Sequence, residues 1–415
     1  MKKKIDSSTV KGKITAPASK SVAQRAVALA ALTKGTSIIR NVGNSNDVLA
    51  AINVCKKLGV EISGDNKKLN IKGGINIPVE PLNCDESGLS IRMFSPIVAT
   101  MDSTVIMTGE GSLKKRPMHM ITESLTKLGA MCITNNGFLP IEIKGPIYGG
   151  EINIDGSISS QVLTGILMAA PYAKTDVYIK VNNLKSTPYI DLTINMMHDF
   201  GVSVYNNCYK KFIVKTPQNY HPVDYNIEGD WSGAAFLLVA GAIAGEIEVT
   251  NLNSDSSQAD RAIIDALKLA GANVSISNDS VKIKKNNLRR FDFDATHCPD
   301  LFPPLVALAA NCEGESTIIG IERLKNKESN RAETIKNEFN KLGVKIKTTD
   351  KSMIIQGGNL KGGNVFSHND HRIAMSCAIA ALNSNCTVII ENAEAVSKSY
   401  PLFFNDLENI MQQKV

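Results

Sequence analysis

No two cysteines in this 415-residue chain are spaced as CxxC. The eight present, Cys55, Cys84, Cys132, Cys208, Cys298, Cys312, Cys377 and Cys386, are scattered along it. That pattern excludes a disulfide frame and a structural zinc site, and it suits buried thiols in a reducing cytoplasm. His297 beside Cys298 has no second pair to complete a metal ligand set, so no metal is expected. No run approaches the roughly 18 apolar residues of a membrane span. The start, MKKKIDSSTVKGK, carries basic residues with no apolar stretch after them, so no signal peptide is expected. Nor is there a dense Lys/Arg tract: the net charge of +6 is mild, which argues against nucleic acid and suits small acidic substrates. What is there, 43% hydrophobic and 21% charged residues, is the composition of a globular protein. The length exceeds one ordinary core and fits two domains of roughly 200 residues.

The chain repeats itself. One phrase is a helix end, a glycine and a strand: KKLGVEI, TKLGAMCI, HDFGVSVY, KLAGANVSI and NKLGVKIK. Its glycines, Gly59, Gly129, Gly201, Gly271 and Gly343, are 70, 72, 70 and 72 residues apart. Glycine just past a helix supplies a left-handed cap, so each phrase predicts helix, stop, strand. A second phrase, an alanine-rich helix followed by a β-branched strand, occurs six times. Its strands start at 35, 102, 175, 245, 314 and 385. A sixfold repeat with a period near 70 is the dominant organisational signal.

The sixth unit runs out, because its last helix, around 400–413, meets the end of the sequence without a closing strand. A strand-like segment, Lys11 to Thr15, precedes the first alanine-rich helix and is expected to complete that unit. The expected domains are then 16–226, inserted in one piece, and 1–15 with 227–415. Two chain crossings would permit a hinge. Tandem repeats without closure are the other reading; a solenoid would want polar capping repeats.

Each alanine-rich helix is polar only at its start. The starts are SKSVAQR from Ser19, ESGLSIR from Glu86, SISSQ from Ser157, GDWSG from Gly229, CPD ending at Asp300, and NDHR from Asn369. The first poses a problem. Ser19 or Ser21 could simply cap the helix while Lys20 and Arg25 reach water. Yet cations sit badly where unpaired N–H groups already carry partial positive charge. A phosphate or carboxylate ligand repairs that arrangement. If the six units are alike, their helix starts form one face in each half. Two such faces meeting across a hinge would make a cleft for a ligand with several negative charges.

Taken together, SKS with Arg25, GEGSLKKRP with Arg116, ISSQ at 158–161, PYID at 188–191, KNKESNR at 325–331, NDHR at 369–372 and Lys398 resemble the 5-enolpyruvylshikimate-3-phosphate synthase family. The resemblance runs in family order from residue 15 to about 401. It implies an α+β fold of two domains, each with three βαββαβ units around buried parallel helices, and a hinged cleft. The reaction implied is transfer of the enolpyruvyl group of phosphoenolpyruvate to the 5-hydroxyl of shikimate 3-phosphate, through a tetrahedral intermediate. No cofactor, nucleic acid or membrane partner is implied, and a cytoplasmic monomer is expected.

Residue by residue, the resemblance places Lys20, Ser21 and Arg25 against the substrates. It sets Ser159 and Ser160 on the phosphate of shikimate 3-phosphate, with Gln161 between the two ligands. Ser186, Tyr189 and Lys327 match further shikimate-side contacts. Lys20, Gly88, Arg116, Arg331, Arg372 and Lys398 correspond to the phosphoenolpyruvate side, where the arginine fork matches carboxylate and phosphate. Asp300 matches the acid/base aspartate that takes the hydroxyl proton, and Glu328 the glutamate that protonates the methylene carbon, with Lys20 sharing that work. His371 is expected to orient Arg372.

One stretch departs from the family pattern. Where the family usually reads Asn-Ala-Gly-Thr-Ala-Met-Arg-Pro, this chain has Glu86, Ser87, Gly88, Leu89, Ser90, Ile91, Arg92 and Met93. Leu89 and Met93 are expected to shift Gly88 and to reduce sensitivity to glyphosate, which occupies the phosphoenolpyruvate site. Glu86 adds negative charge near an anionic ligand. Two rival readings are the sister enolpyruvyl transferase that acts on UDP-N-acetylglucosamine and a non-enzymatic binder of a phosphorylated metabolite. The sister family carries Lys-Asn and a reactive cysteine where this chain has SKS and GEGSLKKRPMHM. Against the binder stand Asp300 and Glu328, carboxylates that would repel an anion.

Overall fold

Six buried helices, four rich in alanine and two, the second and third, built on larger apolar residues, mark the repeats in a computed structural model that describes residues 1–157, 159–325 and 327–413. They are α1 (Lys20–Leu32), α2 (Gly88–Val98), α3 (Gln161–Ala169), α4 (Trp231–Ala244), α5 (Phe302–Ala310) and α6 (His371–Ala381). In α4 every residue except Ser232 is buried. A helix apolar on all sides is stable only when surrounded by protein. Full burial of a side chain such as Phe236, Leu237 or Leu238 contributes about 1.5–3 kcal/mol each.

The chain divides into two compact units, Lys20–Ile227 and Met1–Ser19 with Glu228–Val415. Three sheets and α1 to α3 make up the first; three sheets and α4 to α6 make up the second. A complete repeat is strand, buried helix, parallel strand, outer helix, hairpin. Thus Leu82–Asn83 pairs in parallel with Thr104–Thr108 across α2, and Gly150–Asp155 with Val177–Asn182 across α3. Asp292–Asp294 with Glu315–Ile319 and Gly363–Phe366 with Val388–Glu391 do the same across α5 and α6.

At α1 and α4 the pattern is exchanged. Ser8–Thr15, which leads into α1, pairs in parallel with Gly245–Thr250, the strand after α4. Asp224–Asn226, which leads into α4, pairs with Gly35–Arg40, the strand after α1. Each unit thereby closes its own set of three. The two crossing segments are zipped together: Ser19 N donates to Glu228 O at 2.9 Å and Asp230 N to Pro17 O at 2.7 Å.

This corrects the expected closure of the sixth unit. Lys11–Thr15 belongs to the sheet of the fourth unit, and the strand that joins the sixth is Lys2–Ile5, antiparallel to Val388–Glu391. A closing strand does follow the last helix, Phe403–Ile410: Met411–Gln413 pairs with Ser8–Val10. It is too short to stand out by pattern.

The five helix-stop glycines, Gly59, Gly129, Gly201, Gly271 and Gly343, all lie at φ between +80° and +94°, the left-handed caps that their spacing predicts. All eight cysteines are free. No helix among the described residues is long and apolar enough to cross a membrane.

Candidate active site

In the Lys20–Ile227 unit, polar side chains one turn inside each buried helix tie the three helix starts together. Gln24 of α1 is fully buried, and its Oε1 accepts hydrogen bonds from Ser87 Oγ at 2.9 Å and Ser90 Oγ at 3.0 Å, at the head of α2. Arg92 of α2 donates to Gln161 Oε1 at 3.3 Å, the first residue of α3. Arg25 of α1 donates from Nε to Thr193 Oγ1 at 2.9 Å and from NH2 to Thr164 Oγ1 of α3 at 3.4 Å. Three links join three helices in a ring.

That ring gathers the predicted residues of this unit. Lys20 opens α1, and its Nζ lies 2.8 Å from Asp47 Oδ2. The Ser21 carbonyl accepts from Arg25 NH1 at 2.8 Å. Ser159 Oγ accepts from Gln161 N at 3.2 Å, and Ser160 is buried directly before α3. Ser186 has a left-handed backbone, φ +56°, and precedes the helix Thr187–Asp199 that carries Tyr189. Thr193 returns a hydrogen bond to the Tyr189 carbonyl at 2.8 Å. Gly88 lies under two guanidiniums: a Cβ there would meet Arg116 NH1 at 2.4 Å and Arg92 NH1 at 3.0 Å. Burial pulls the Arg25 guanidinium down to about 10. It stays cationic at neutral pH and is costly to bury without partners.

Glu86 turns to the neighbouring loop. Its Oε2 accepts from Ser112 N at 3.1 Å and Ser112 Oγ at 2.9 Å, at the head of the 3₁₀ turn Gly111–Lys115 that leads into Arg116. Its negative charge thus meets a helical N-terminus, where it is favourable.

The second unit is organised by Arg331, which has no exposed surface. Nε donates to Asp370 Oδ2 at 2.8 Å and NH1 to Asp300 Oδ1 at 2.9 Å, while NH2 is paired with Glu328 and also reaches Asp370 Oδ1 at 3.3 Å. Lys327 Nζ adds a contact to Asp300 Oδ1 at 3.2 Å, and Arg372 NH2 one to Asp300 Oδ2 at 3.3 Å. Burial works to raise the Asp300 carboxyl, but Arg372, Lys327 and Arg331 outweigh it and hold it well below the usual carboxylate range. Burial lowers the Lys327 ammonium. Arg372 NH1 lies 2.9 Å from His371 Nε2, and His371 Nδ1 lies 3.9 Å from Asp370 Oδ1. Lys398 Nζ donates to the Asn369 carbonyl at 3.5 Å. Ile158 of the ISSQ stretch and Asn326 of the KNKESNR stretch lie outside the described residues.

A family model described as EPSP synthase (3-phosphoshikimate 1-carboxyvinyltransferase) matches residues 5–407. The chain belongs to the EPSP synthase family. Among curated members, a 3-phosphoshikimate 1-carboxyvinyltransferase from Clostridium kluyveri is 40% identical over 412 residues, covering 98% of this chain and 96% of that protein. One from Methanocorpusculum labreanum is 37% identical over 416 residues, covering 99% and 98%. The solved EPSP synthase of Acinetobacter baumannii superposes with a TM-score of 0.84 at 28% identity, covering 99% of this chain and 98% of that one. The α+β fold is therefore that of EPSP synthases, and the sister transferase acting on UDP-N-acetylglucosamine is not the family matched.

The EPSP synthase resemblance passed over Gln24, Asp47, Arg92, Thr164, Thr193 and Asp370. Three of them, Gln24, Arg92 and Thr164, carry the same cue that drew attention to Arg25: a polar residue about one turn inside a buried helix. Asp47 has a fainter signal as an acid in the first turn of the helix Asn46–Lys57.

Proposed function

We propose that this member of the family transfers the enolpyruvyl group of phosphoenolpyruvate to the 5-hydroxyl of shikimate 3-phosphate and releases phosphate. What supports this reading most is Asp300, an ionised carboxylate packed among Lys327, Arg331 and Arg372. Anion binding needs such cations; it gains nothing from the carboxylate unless a proton has to move.

The shikimate 3-phosphate set is Lys20, Ser21, Arg25, Ser159, Ser160 and Gln161, with Ser186, Tyr189, Asp300 and Lys327. Support comes from the ring of hydrogen bonds that fixes three helix starts, whose free N–H groups favour phosphate. The phosphoenolpyruvate set is Lys20, Gly88, Arg116, Gln161, Arg331, Arg372 and Lys398, with His371 orienting Arg372. Arg331 already holds three carboxylates, so an incoming anion has to replace one. Asp370 is fully buried, so the exchangeable partner is one of the two more accessible carboxylates, Glu328 at 13% or Asp300 at 18% exposed.

In the addition step the 5-hydroxyl gives its proton to Asp300 as its oxygen bonds to C2 of phosphoenolpyruvate. Glu328, with Lys20, supplies a proton to the methylene carbon. In the elimination the methyl group gives a proton back to Glu328, and the proton held by Asp300 leaves with phosphate as the C2–O bond to it breaks. At rest Asp300 is a weak base because its cations stabilise the carboxylate. Once the anionic substrates take up those cations, the pull on Asp300 weakens and its affinity for the hydroxyl proton rises. The chain is proposed to work as a monomer in the cytoplasm.

Phosphate release measured with each substrate alone and with both tests the reading. Release is expected only with both, and Asp300→Asn is expected to lose at least about 100-fold with the circular dichroism spectrum unchanged. Equal release with UDP-N-acetylglucosamine as acceptor, or from phosphoenolpyruvate alone, overturns it.

A further inference from the structure

Five residues before each helix-stop glycine the outer helix turns a buried residue inward: Val54, Ser124, Met196, Ala266 and Glu338. A charge stands at this place only in the last of them, and Glu338 is 1% exposed. A buried carboxylate is costly unless it is paired, and its partners show what it holds. Glu338 Oε2 accepts from Phe366 N at 2.9 Å, and Oε1 lies 2.8 Å from His368 Nε2. Lys341, on the same helix Arg331–Lys341, brings its Nζ to 2.9 Å from Oε1 and 2.8 Å from Oε2. Burial acts to raise the Glu338 carboxyl, but His368, Lys341 and the Phe366 N–H outweigh it and hold it below its usual range.

The segment so held leads from the strand Gly363–Phe366 into α6, and its backbone is strained. His368 and Asn369 both have φ +55°, in the left-handed region, which residues other than glycine keep only where their neighbours impose it. Arg331 and Glu338 are about two helical turns apart and share one helix face. From that face Arg331 takes Asp370, and Glu338 takes Phe366 and His368. Between the two ties, the Asn369 carbonyl accepts from Lys398 Nζ at 3.5 Å, and Asp370 accepts from the N–H of Arg372. We propose that Glu338 is a positioning residue for Arg372 and Lys398: by pinning Phe366 and His368 it fixes the left-handed pair, and with it the seat of both cations. The proposal rests on the reading that these cations take phosphoenolpyruvate. Glu338 acts through the segment and not on the reacting atoms.

Glu338→Gln keeps one acceptor for Phe366 N and removes the charge. KM for phosphoenolpyruvate is expected to rise about tenfold, with kcat within about threefold and the affinity for shikimate 3-phosphate within about twofold. Lys341→Met removes the one partner that lies outside the segment, and is expected to leave all three within about twofold. His368→Phe is expected to raise KM for phosphoenolpyruvate about threefold and to add nothing in the E338Q background, because the two residues share one contact. An unmoved KM in E338Q overturns the proposal, and so do equal losses for both substrates, which a merely structural role produces. An effect of K341M as large as that of E338Q, or additivity of E338Q and H368F, overturns it too. If E338Q does not fold, H368F is read instead: the same one-sided rise in KM is expected, and its absence overturns the proposal.

Hydrogen exchange in the substrate-free protein separates this failure from failure of the function itself. The N–H groups of Arg372 and Ile373 are bonded to Asp370 at the head of α6. In E338Q they are expected to exchange about tenfold faster, while the N–H of Thr164 at the head of α3 keeps its rate. Unchanged exchange at Arg372 and Ile373 overturns the Glu338 proposal whatever the activity. Faster exchange there, with no turnover in the unmodified enzyme, overturns the functional reading and leaves Glu338 as the residue that holds the head of α6.

Discussion

Arg331 Nε lies 2.8 Å from Asp370 Oδ2, and neither side chain has any exposed surface. Asp370 is also the cap of α6, accepting from Arg372 N at 3.1 Å, and it takes a hydrogen bond from Ser329 Oγ at 3.0 Å. One carboxylate therefore joins the head of α6, the segment before the helix Arg331–Lys341 and the arginine that holds Asp300.

Asp370→Ala should consequently act on stability before chemistry. It leaves a buried guanidinium without its principal partner, a change that costs about 3–5 kcal/mol when such pairs are broken. Urea unfolding is expected to show a free-energy loss of that size, read as a lower midpoint with m unchanged. A shift under about 1 kcal/mol, within the range of an exposed pair, would refute the role given to Asp370.

Lys327 is one of three cations that depress the Asp300 carboxyl. In Lys327→Met that attraction is lost, so Asp300 holds its proton more tightly. The acidic limb of the kcat profile is expected to move to higher pH, with a raised KM for shikimate 3-phosphate. The linkage has the matching sign. A depressed carboxyl gives stability that is present above its unfolded value near 3.9 and is lost as pH falls through the folded value. The variant should accordingly lose less stability on acidification than the parent. A limb that stays in place or moves down contradicts this electrostatic account.

Gly88→Ala tests the phosphoenolpyruvate side. The added methyl would stand 2.4 Å from Arg116 NH1, a flexible side-chain end that can give way. The fold is expected to survive while Arg116 is displaced. KM for phosphoenolpyruvate should rise about tenfold, with the affinity for shikimate 3-phosphate held within about twofold. Equal losses for both substrates would place the effect elsewhere.

Leu89 and Met93 are the second and sixth residues of α2, and both are buried. Reduced sensitivity to glyphosate is expected from them. Inhibition curves at matched phosphoenolpyruvate should show weak inhibition, restored toward sensitivity in Leu89→Thr. Low-micromolar inhibition of the unmodified enzyme would end the idea.

Much of this was legible from spacing alone. Helix stops at Gly59, Gly129, Gly201, Gly271 and Gly343 follow from a local backbone need that only glycine meets cheaply, so a one-dimensional pattern reveals them. Lone polar residues at the heads of apolar helices are equally visible, because burying them demands a reason. Strand exchange at α1 and α4 was not legible. Pairing depends on which distant segment lies alongside, and Ser8–Thr15 carries nothing that prefers Gly245–Thr250 over Val388–Glu391. Nor could Asp260 be picked out: an aspartate in QADRA looks solvent-exposed until folding buries it against Ser232. Sequence thus determined the repeat, the helices and their polar heads, which are short-range consequences of residue type. Tertiary structure alone decided which strands close each unit and which polar side chains are buried together, because both depend on neighbours brought together from far along the chain.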